Sequence, residues 1–303
     1  MIALGLKPEL VMDDQLLRHL YHRLFNHATP QPPRGCIYSD SIIVLIYFLA
    51  ALRDRSPRWA CRRGNWPLWM RRLRCPSYSQ FIRRLKTSAV SRLLTQLNSE
   101  LRASLPHSCD KVCDGKPLAI GGFSKDPDSA AGRLPANGWG RGYKVHVLLD
   151  STGPVDAFAV TALDGGEATI ARRLVGQIDL AGVILRGDSN YDSNRLYHAV
   201  AARGGRLIAP RKKPHTGLGH HPQHPDRLRA IAELEGSAAA LEAHDQHRLR
   251  VEQGLGHLTN LPFGLCPLPN FIRRQRRVER WVSCKITLYH LHLILRRRQA
   301  LAA

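Results

Sequence analysis

GVILRGDSNYDSNRL, residues 182–196, is the stretch whose reading decides the fold. Val183-Ile184-Leu185 is a short apolar run that stops at Arg186-Gly187 and delivers a carboxylate, Asp188. SNRLYHAVAARGG (193–205) then reads as a helix stopped by glycine, with Asp192 as its N-cap, and RLIAP (206–210) as another strand. Strand, helix and strand in that order predict a parallel pair, and in open α/β sheets ligands gather at the carboxyl ends of such strands. Asp188 stands at one of those ends.

The elements upstream complete a sheet. KVCDGKPLAIGG (111–122) is short, apolar and closed by glycines, and it carries Asp114. FSKDPDSAAGRLPANGWGRG (123–142) reads as a polar, glycine-rich excursion. YKVHVLLDS (143–151) alternates, with Tyr143, Val145, Val147 and Leu149 on one face; Gly153-Pro154 turns it into VDAFAVTAL (155–163) as a hairpin. EATIARRLVGQI (167–178) has helical spacing at Ile170, Leu174 and Ile178. The order is three strands, helix, strand, helix, strand and then helices. That predicts an α/β fold with a mixed five-stranded sheet flanked by helices.

Residues 1–105 read as a separate all-α module and 106–303 as the sheet domain with a helical C-terminal part. DDQLLRHLYHRLF (13–25) carries a leucine and aromatic stripe that Asp13 can cap, and SIIVLIYFLAAL (41–52) reads as a buried helix. Pro76 opens one short helix, and Thr87 or Ser88 caps a longer one with Val90, Leu94 and Leu97 inside. Short helices bearing Arg83, Arg84 and Lys86 fit a helix-turn-helix-like DNA-binding module as well as they fit a plain bundle with a basic face.

Composition limits the partners. The chain has 303 residues, 44% of them hydrophobic, and a net charge of +21, far more than solubility needs. That excess points to a polyanion, nucleic acid before an anionic membrane surface. The longest apolar run is too short to span a bilayer, and the N-terminus lacks an export signal. Seven scattered cysteines form no disulfide framework, which fits a reducing, cytoplasmic setting. His215, His220, His221 and His224 lie in a Pro/Gly-rich loop and read as solvated, and Trp59, Trp66 and Trp69 read as core.

If the strand ending at Asp188 lies beside the one carrying Asp114, two carboxylates converge. Two acids in a basic surround suit a divalent metal and a phosphate. Two such ions would need a third acid. In HRLRVEQGLGHL (247–258), Glu252 lies beside the packed stripe of Val251, Leu255 and Leu258, with Arg248 one turn before it.

VCDGKPL, GYKVHVLLDSTGPVDAFAVTALDGGE, ILRGDSNYDSNRL, RLIAPRKK and the R-x-x-x-E of RLRVE together resemble the DDE transposases of bacterial insertion sequences, from about residue 108 to 275. The resemblance implies a catalytic domain like ribonuclease H and retroviral integrase. It implies that Asp114, Asp188 and Glu252 form the catalytic and metal-binding triad, holding Mg²⁺ or Mn²⁺, two ions in all. Asp245 and Thr259 stand where the family often has tyrosine and lysine. The short gap between Asp188 and Glu252 leaves no room for the large inserted β-domain of some relatives. Implied partners are double-stranded DNA, both the terminal inverted repeats of a mobile element and its target, in a homodimeric synaptic complex in the bacterial nucleoid. Lys116, Lys144, Arg211, Lys212, Lys213 and Arg248 read as phosphate contacts near the centre, and Arg273, Arg277 and Arg280 as an outlying DNA-gripping row. Rival readings are a ribonuclease H-like endonuclease without strand transfer, and an inactive DNA-binding derivative.

Overall fold

The computed structural model describes residues 8–26, 35–121, 124–134, 138–214, 216–261 and 263–302, with the side chains of 8–11 and 250–252 outside that description. The chain divides into two compact units. One comprises residues 1–104, 260–265 and 280–303; the other comprises 105–259 and 266–279.

The first unit is helical: α1 (Pro8–Asn26), α2 (Asp40–Leu52), α3 (Pro57–Ala60), α4 (Tyr78–Leu85), α5 (Ser88–Ala103) and the part of α10 (Gln275–Ala302) from Arg280 onward. α2 is buried along nearly its whole length, and the Ser39 side chain caps it. Ser77 and Gln80 form a reciprocal capping box on α4, and Thr87 caps α5 two residues after α4 ends. α1 begins upstream of Asp13, so that aspartate does not cap it. Asp13 instead pairs with Arg53 at 2.9 Å. The C-terminal helix counts with this unit rather than with the sheet because its buried residues pack here. Trp281 meets Tyr47 edge-on, His290 Nδ1 lies 3.1 Å from Asn98 Oδ1, and the fully buried Lys285 ammonium bonds Asp54 at 2.7 Å.

The second unit is built on a six-stranded sheet: β1 (Asp110–Ile120), β2 (Ala130–Leu134), β3 (Gly138–Asp150), β4 (Val155–Ala162), β5 (Ile184–Arg186) and β6 (Arg206–Ile208). β1 lies between antiparallel β3 and parallel β5, and β6 continues the parallel side. β3 is long enough for β2 to pair with its first half and β4 with its second. The β4-β3-β1-β5-β6 core is the ribonuclease H-like arrangement that the resemblance implied. β2 is the strand not foreseen, inside the glycine-rich excursion.

Helices α6 (Glu167–Val175), α7 (Asn194–Ala201), α8 (Pro225–Gly236) and α9 (Ala238–Asn260) follow the strands. Ile170 and Leu174 of α6 and Leu196 and Val200 of α7 pack with Cys113, Leu148, Leu185 and Leu207 from the sheet. Tyr143, Val145, Val147 and Leu149 are buried, and so is Leu148 between them, so β3 does not alternate cleanly between core and solvent. A central strand covered on both faces reads as a continuous apolar run.

Candidate active site

The parallel pairing of β1 with β5 brings the first two acids together. Asp110 pairs with Ile184, Lys111 with Leu185 and Val112 with Arg186. Asp114 and Asp188 each stand two residues beyond the last pair, at one level on neighbouring strands, which are about 4.8 Å apart in such sheets. Burial raises the Cys113 thiol and the Tyr191 phenol, and in both cases Asp114 and Asp188 raise them further, so both acids act on the same two groups. The Asp188 carboxylate accepts hydrogen bonds from the Asn190 backbone N–H at 2.7 Å and from its Nδ2 at 3.2 Å, capping the turn Ser189–Tyr191. Asp114 Oδ1 accepts from the Gly115 N–H at 2.7 Å.

Against the backbone that follows Asp114 stands an acid the sequence reading passed over. Glu167, in the first turn of α6, accepts a hydrogen bond from the Lys144 ammonium at 3.0 Å. Its field also reaches Tyr191. A Cβ on Gly115 would lie 3.1 Å from Glu167 Oε1 and 3.3 Å from Lys144 Cδ, so the pair packs directly on the backbone that follows Asp114. Its only sequence signal is a helix-initial glutamate, which any helix N-terminus favours.

Glu252 lies in α9, with its side chain outside the described residues. Two neighbours define the course of α9. His244 Nε2 is 3.3 Å from the Gly187 carbonyl, and a Cβ on Gly254 would be 3.9 Å from Gly153 Cα. Gly187 immediately precedes Asp188, whereas Gly153 sits in the turn after Asp150, the partner of Lys111. α9 therefore passes next to Asp188 at His244 and runs toward the start of β1. At 1.5 Å per residue the Glu252 backbone is about 12 Å along the axis from His244. The structure brings Asp114 and Asp188 together and leaves the Glu252 backbone well down the helix.

The expected phosphate contacts divide into exposed and engaged groups. Arg83, Lys86, Lys212, Lys213 and Arg277 are exposed. Arg84 is held by Asp40 at 2.6 Å, Arg211 by Glu235 at 2.7 Å, Lys144 by Glu167, and Arg248 lies 3.8 Å from Asp245. Lys116 and Arg280 are half-buried. Arg273 lies outside α10 and donates to the carbonyls of Pro269 and Ile272, so the arginine row does not run along a single helix. The reason is a break at Arg274, whose φ is +74°, with Asp126 and Asp128 accepting the backbone N–H groups of Arg274 and Gln275 where α10 begins. Trp139, unremarked in the sequence reading, is 71% exposed in β3 opposite the exposed Arg133 of β2.

Asp192 does not cap α7, whose N-cap is Ser193. It is instead the fork partner of Arg227, at 2.6 and 2.7 Å, and it also accepts the Lys212 N–H. His215 lies outside the described residues; His220 and His221 are exposed, and His224 caps α8. Trp66 is buried and Trp69 donates to Asp14, both as packing residues.

Among the described residues, His107, Asp150 and Asp156 form a group whose ligand atoms lie within 4.8 Å of one another. The Lys111 ammonium already binds both acids of that group, at 2.9 Å to Asp150 and 2.6 Å to Asp156. A divalent ion there would have to displace a buried cation.

The mixed sheet of a strongly basic chain thus carries Asp114 within β1, level with Asp188 just past the end of β5. Residues 109–290, more than half the chain, match the family described as "Transposase DDE domain", and the chain belongs to that family. A sequence search of curated proteins finds no match. Among solved structures the chain is similar to a piggyBac transposase synaptic complex with hairpin DNA. The TM-score is 0.49 at 11% identity, covering 96% of this chain and 75% of that one. Among the described residues no helix is long and apolar enough to cross a membrane.

Proposed function

We propose that this protein binds the terminal inverted repeats of a mobile element and catalyses metal-dependent DNA strand cleavage and transfer, with Asp114 and Asp188 at the centre. The observation that carries the reading is the placement of Asp114 in β1 level with Asp188 just past the end of parallel β5, in a chain of net charge +21. Their oxygen-only donor set fits Mg²⁺ or Mn²⁺. When bound, such ions neutralise phosphate charge and acidify the attacking hydroxyl.

The chain's own residues then bind and orient. Exposed Lys212, Lys213 and Arg277 are free to meet backbone phosphates, and Arg83 and Lys86 give the helical unit the same capacity. Trp139 adds a flat apolar face for stacking on an unpaired base. No protein nucleophile is required, because water and then a 3′-hydroxyl attack the phosphodiester in line. Glu252 is the third acid of this reading on the strength of its R-x-x-x-E motif. A homodimer holding two element ends is part of the same proposal.

The test is Mg²⁺- or Mn²⁺-dependent nicking and joining of a DNA carrying the element's terminal repeats. Wild type nicks and joins; Asp114→Asn, Asp188→Asn and Glu252→Gln each lose at least 10²–10³-fold, in line with removing a transition-state charge stabiliser. Equal nicking by wild type and Asp188→Asn would refute the centre. Full activity in Glu252→Gln would remove that residue alone. Nicking without joining would make the protein a nuclease.

A further inference from the structure

Between Arg53 and Arg74 the helical unit carries eight arginines and a single acid, Asp54. Asp54 is paired with the buried Lys285 ammonium at 2.7 Å. A cleft of about 970 Å³ opens in this stretch, lined by Arg18 of α1, Arg53 and Arg55 after α2, Trp59 of α3, and Trp66 and Arg71 beyond it. Arg55 and Arg71 are exposed and in no ion pair among the described residues. Arg71 meets only neutral acceptors: its Nε and Nη2 donate to the carbonyls of Trp66 and Gly64 at 3.1 and 3.0 Å, which aims the guanidinium and leaves its charge uncompensated. Arg18 and Arg53 are paired with Asp14 at 2.6 Å and Asp13 at 2.9 Å. An exposed pair such as Arg18–Asp14 is weak and yields readily to a phosphate.

The irregular chain after α3 is fixed by side chains. Ser56 caps α3, Asn65 Nδ2 donates to the Trp59 carbonyl at 2.8 Å, and Trp66 Nε1 donates to the Ala60 carbonyl at 2.6 Å. A segment held in this way has little ordering entropy left to lose on binding. Its aromatic groups are not free to stack on bases: Trp66 is buried, and the Arg18 guanidinium lies over the Trp69 ring, 5.1 Å from its centroid. They form apolar wall, and the arginines supply the recognition.

We propose that this cleft grips the sugar–phosphate backbone of duplex DNA, with Arg55 and Arg71 as the phosphate-binding pair and Arg18 and Arg53 in support. This deepens the proposed function and rests on DNA being the partner. A guanidinium matches two phosphate oxygens with parallel N–H donors, which a lysine cannot do. Contacts made to backbone phosphates fix the protein's register on the duplex and carry no sequence information. The cleft therefore holds the DNA in place and leaves base recognition to other surfaces.

The experiment is a titration of a fluorescently labelled duplex with the full chain, in EDTA and across a salt series, so that neither metal nor cleavage enters. Arg55→Ala/Arg71→Ala is expected to lower the slope of log affinity against log salt by about two and to weaken binding roughly ten- to a hundredfold, since each phosphate contact contributes about 0.9 to that slope. Arg92→Ala/Arg297→Ala removes the same charge from exposed positions of the same unit outside the cleft, and should change the slope by less than half as much. Equal losses in the two double variants overturn the proposal, because net charge alone would then account for them. So does unchanged binding in Arg55→Ala/Arg71→Ala, and so does tighter binding of a single strand than of the duplex. Should loss of Arg71 unfold the segment, Arg55→Ala alone is read the same way, with an expected slope change of about one. Duplex binding that depends on the cleft arginines, without nicking or joining by the wild type, would defeat the strand-transfer reading and leave the cleft's role standing. Failure of the wild type to bind any duplex would end both.

Discussion

Two carboxylate pairs stand at different levels of the same sheet, and their surroundings differ. Asp150 and Asp156, with His107 beside them, are closed around the Lys111 ammonium, and Asp150 accepts further hydrogen bonds from Ser108 and Thr152. Burial works against ionisation of Asp150, yet the hydrogen bonds from Thr152, Ser108 and Lys111 prevail and lower its carboxyl. Asp114 lies within β1 and Asp188 just past the end of β5, and among the described residues Asp188 is in no ion pair but caps a local turn. Acids that meet an internal cation are structural. Asp188, with no cation paired to it among the described residues, is available for a metal.

The comparison breaks if the two pairs respond alike to substitution. Asp188→Asn should abolish nicking while leaving the unfolding midpoint nearly unchanged, because its carboxylate serves only a short local cap. Lys111→Met should do the reverse and cost about 3–5 kcal/mol of stability, as removal of one partner from a buried ion group leaves two uncompensated acids. Denaturant unfolding of both variants checks this. Similar midpoints for the two would erase the distinction between the sites.

A pH experiment sharpens it at the strand-end side. His146, directly opposite Gly115 in the β1–β3 pairing, is buried and held to about 4, by desolvation first and by Lys144 second. Its folded value lies below that of a free histidine, so protonation favours the unfolded chain. Stability is therefore fully present above about pH 6.5 and falls as pH drops toward 4, by about 3 kcal/mol at most. His146→Gln should flatten that slope in urea unfolding between pH 4 and 6.5. Asp150 titrates below this window and so does not confuse it.

How much of this was legible in the sequence follows from what each residue type signals. GVILRGD announced a buried strand ending in an acid because three apolar residues and a glycine leave few alternatives, while its pairing with the Asp114 strand was only permitted by the crossover and is what the register supplies. β2 was hidden because glycine ordinarily signals a loop. Here Gly142 lies where a Cβ would run into the Leu118 carbonyl, so the glycines mark close strand approach. Asp192 looked like a cap because Asp before a helix usually is one; its partner Arg227 is 35 positions away, beyond any local rule. Glu167 was missed for the same reason. The R-x-x-x-E motif identified Glu252, but a motif says nothing about where along a helix the sheet is met, and α9 meets Asp188's neighbour at His244.

The smallest effect concerns binding away from both acid pairs. Trp139 exposes most of its indole on the β2–β3 hairpin, next to the exposed Arg133 and with no core role to account for it. A tryptophan face contributes through stacking, which is about 1–3 kcal/mol per base and indifferent to salt, whereas each phosphate-bound cation contributes close to one unit of salt slope. Trp139→Ala should therefore weaken binding to element-end DNA with an unpaired terminal stretch by roughly five- to a hundredfold, with the slope of log affinity against log salt unchanged. Arg133→Ala should lower that slope by about one. Fluorescence anisotropy across a salt series separates the two, and an unchanged affinity in Trp139→Ala would return the hairpin to a purely architectural role, extending β3 beyond the edge shared with β4.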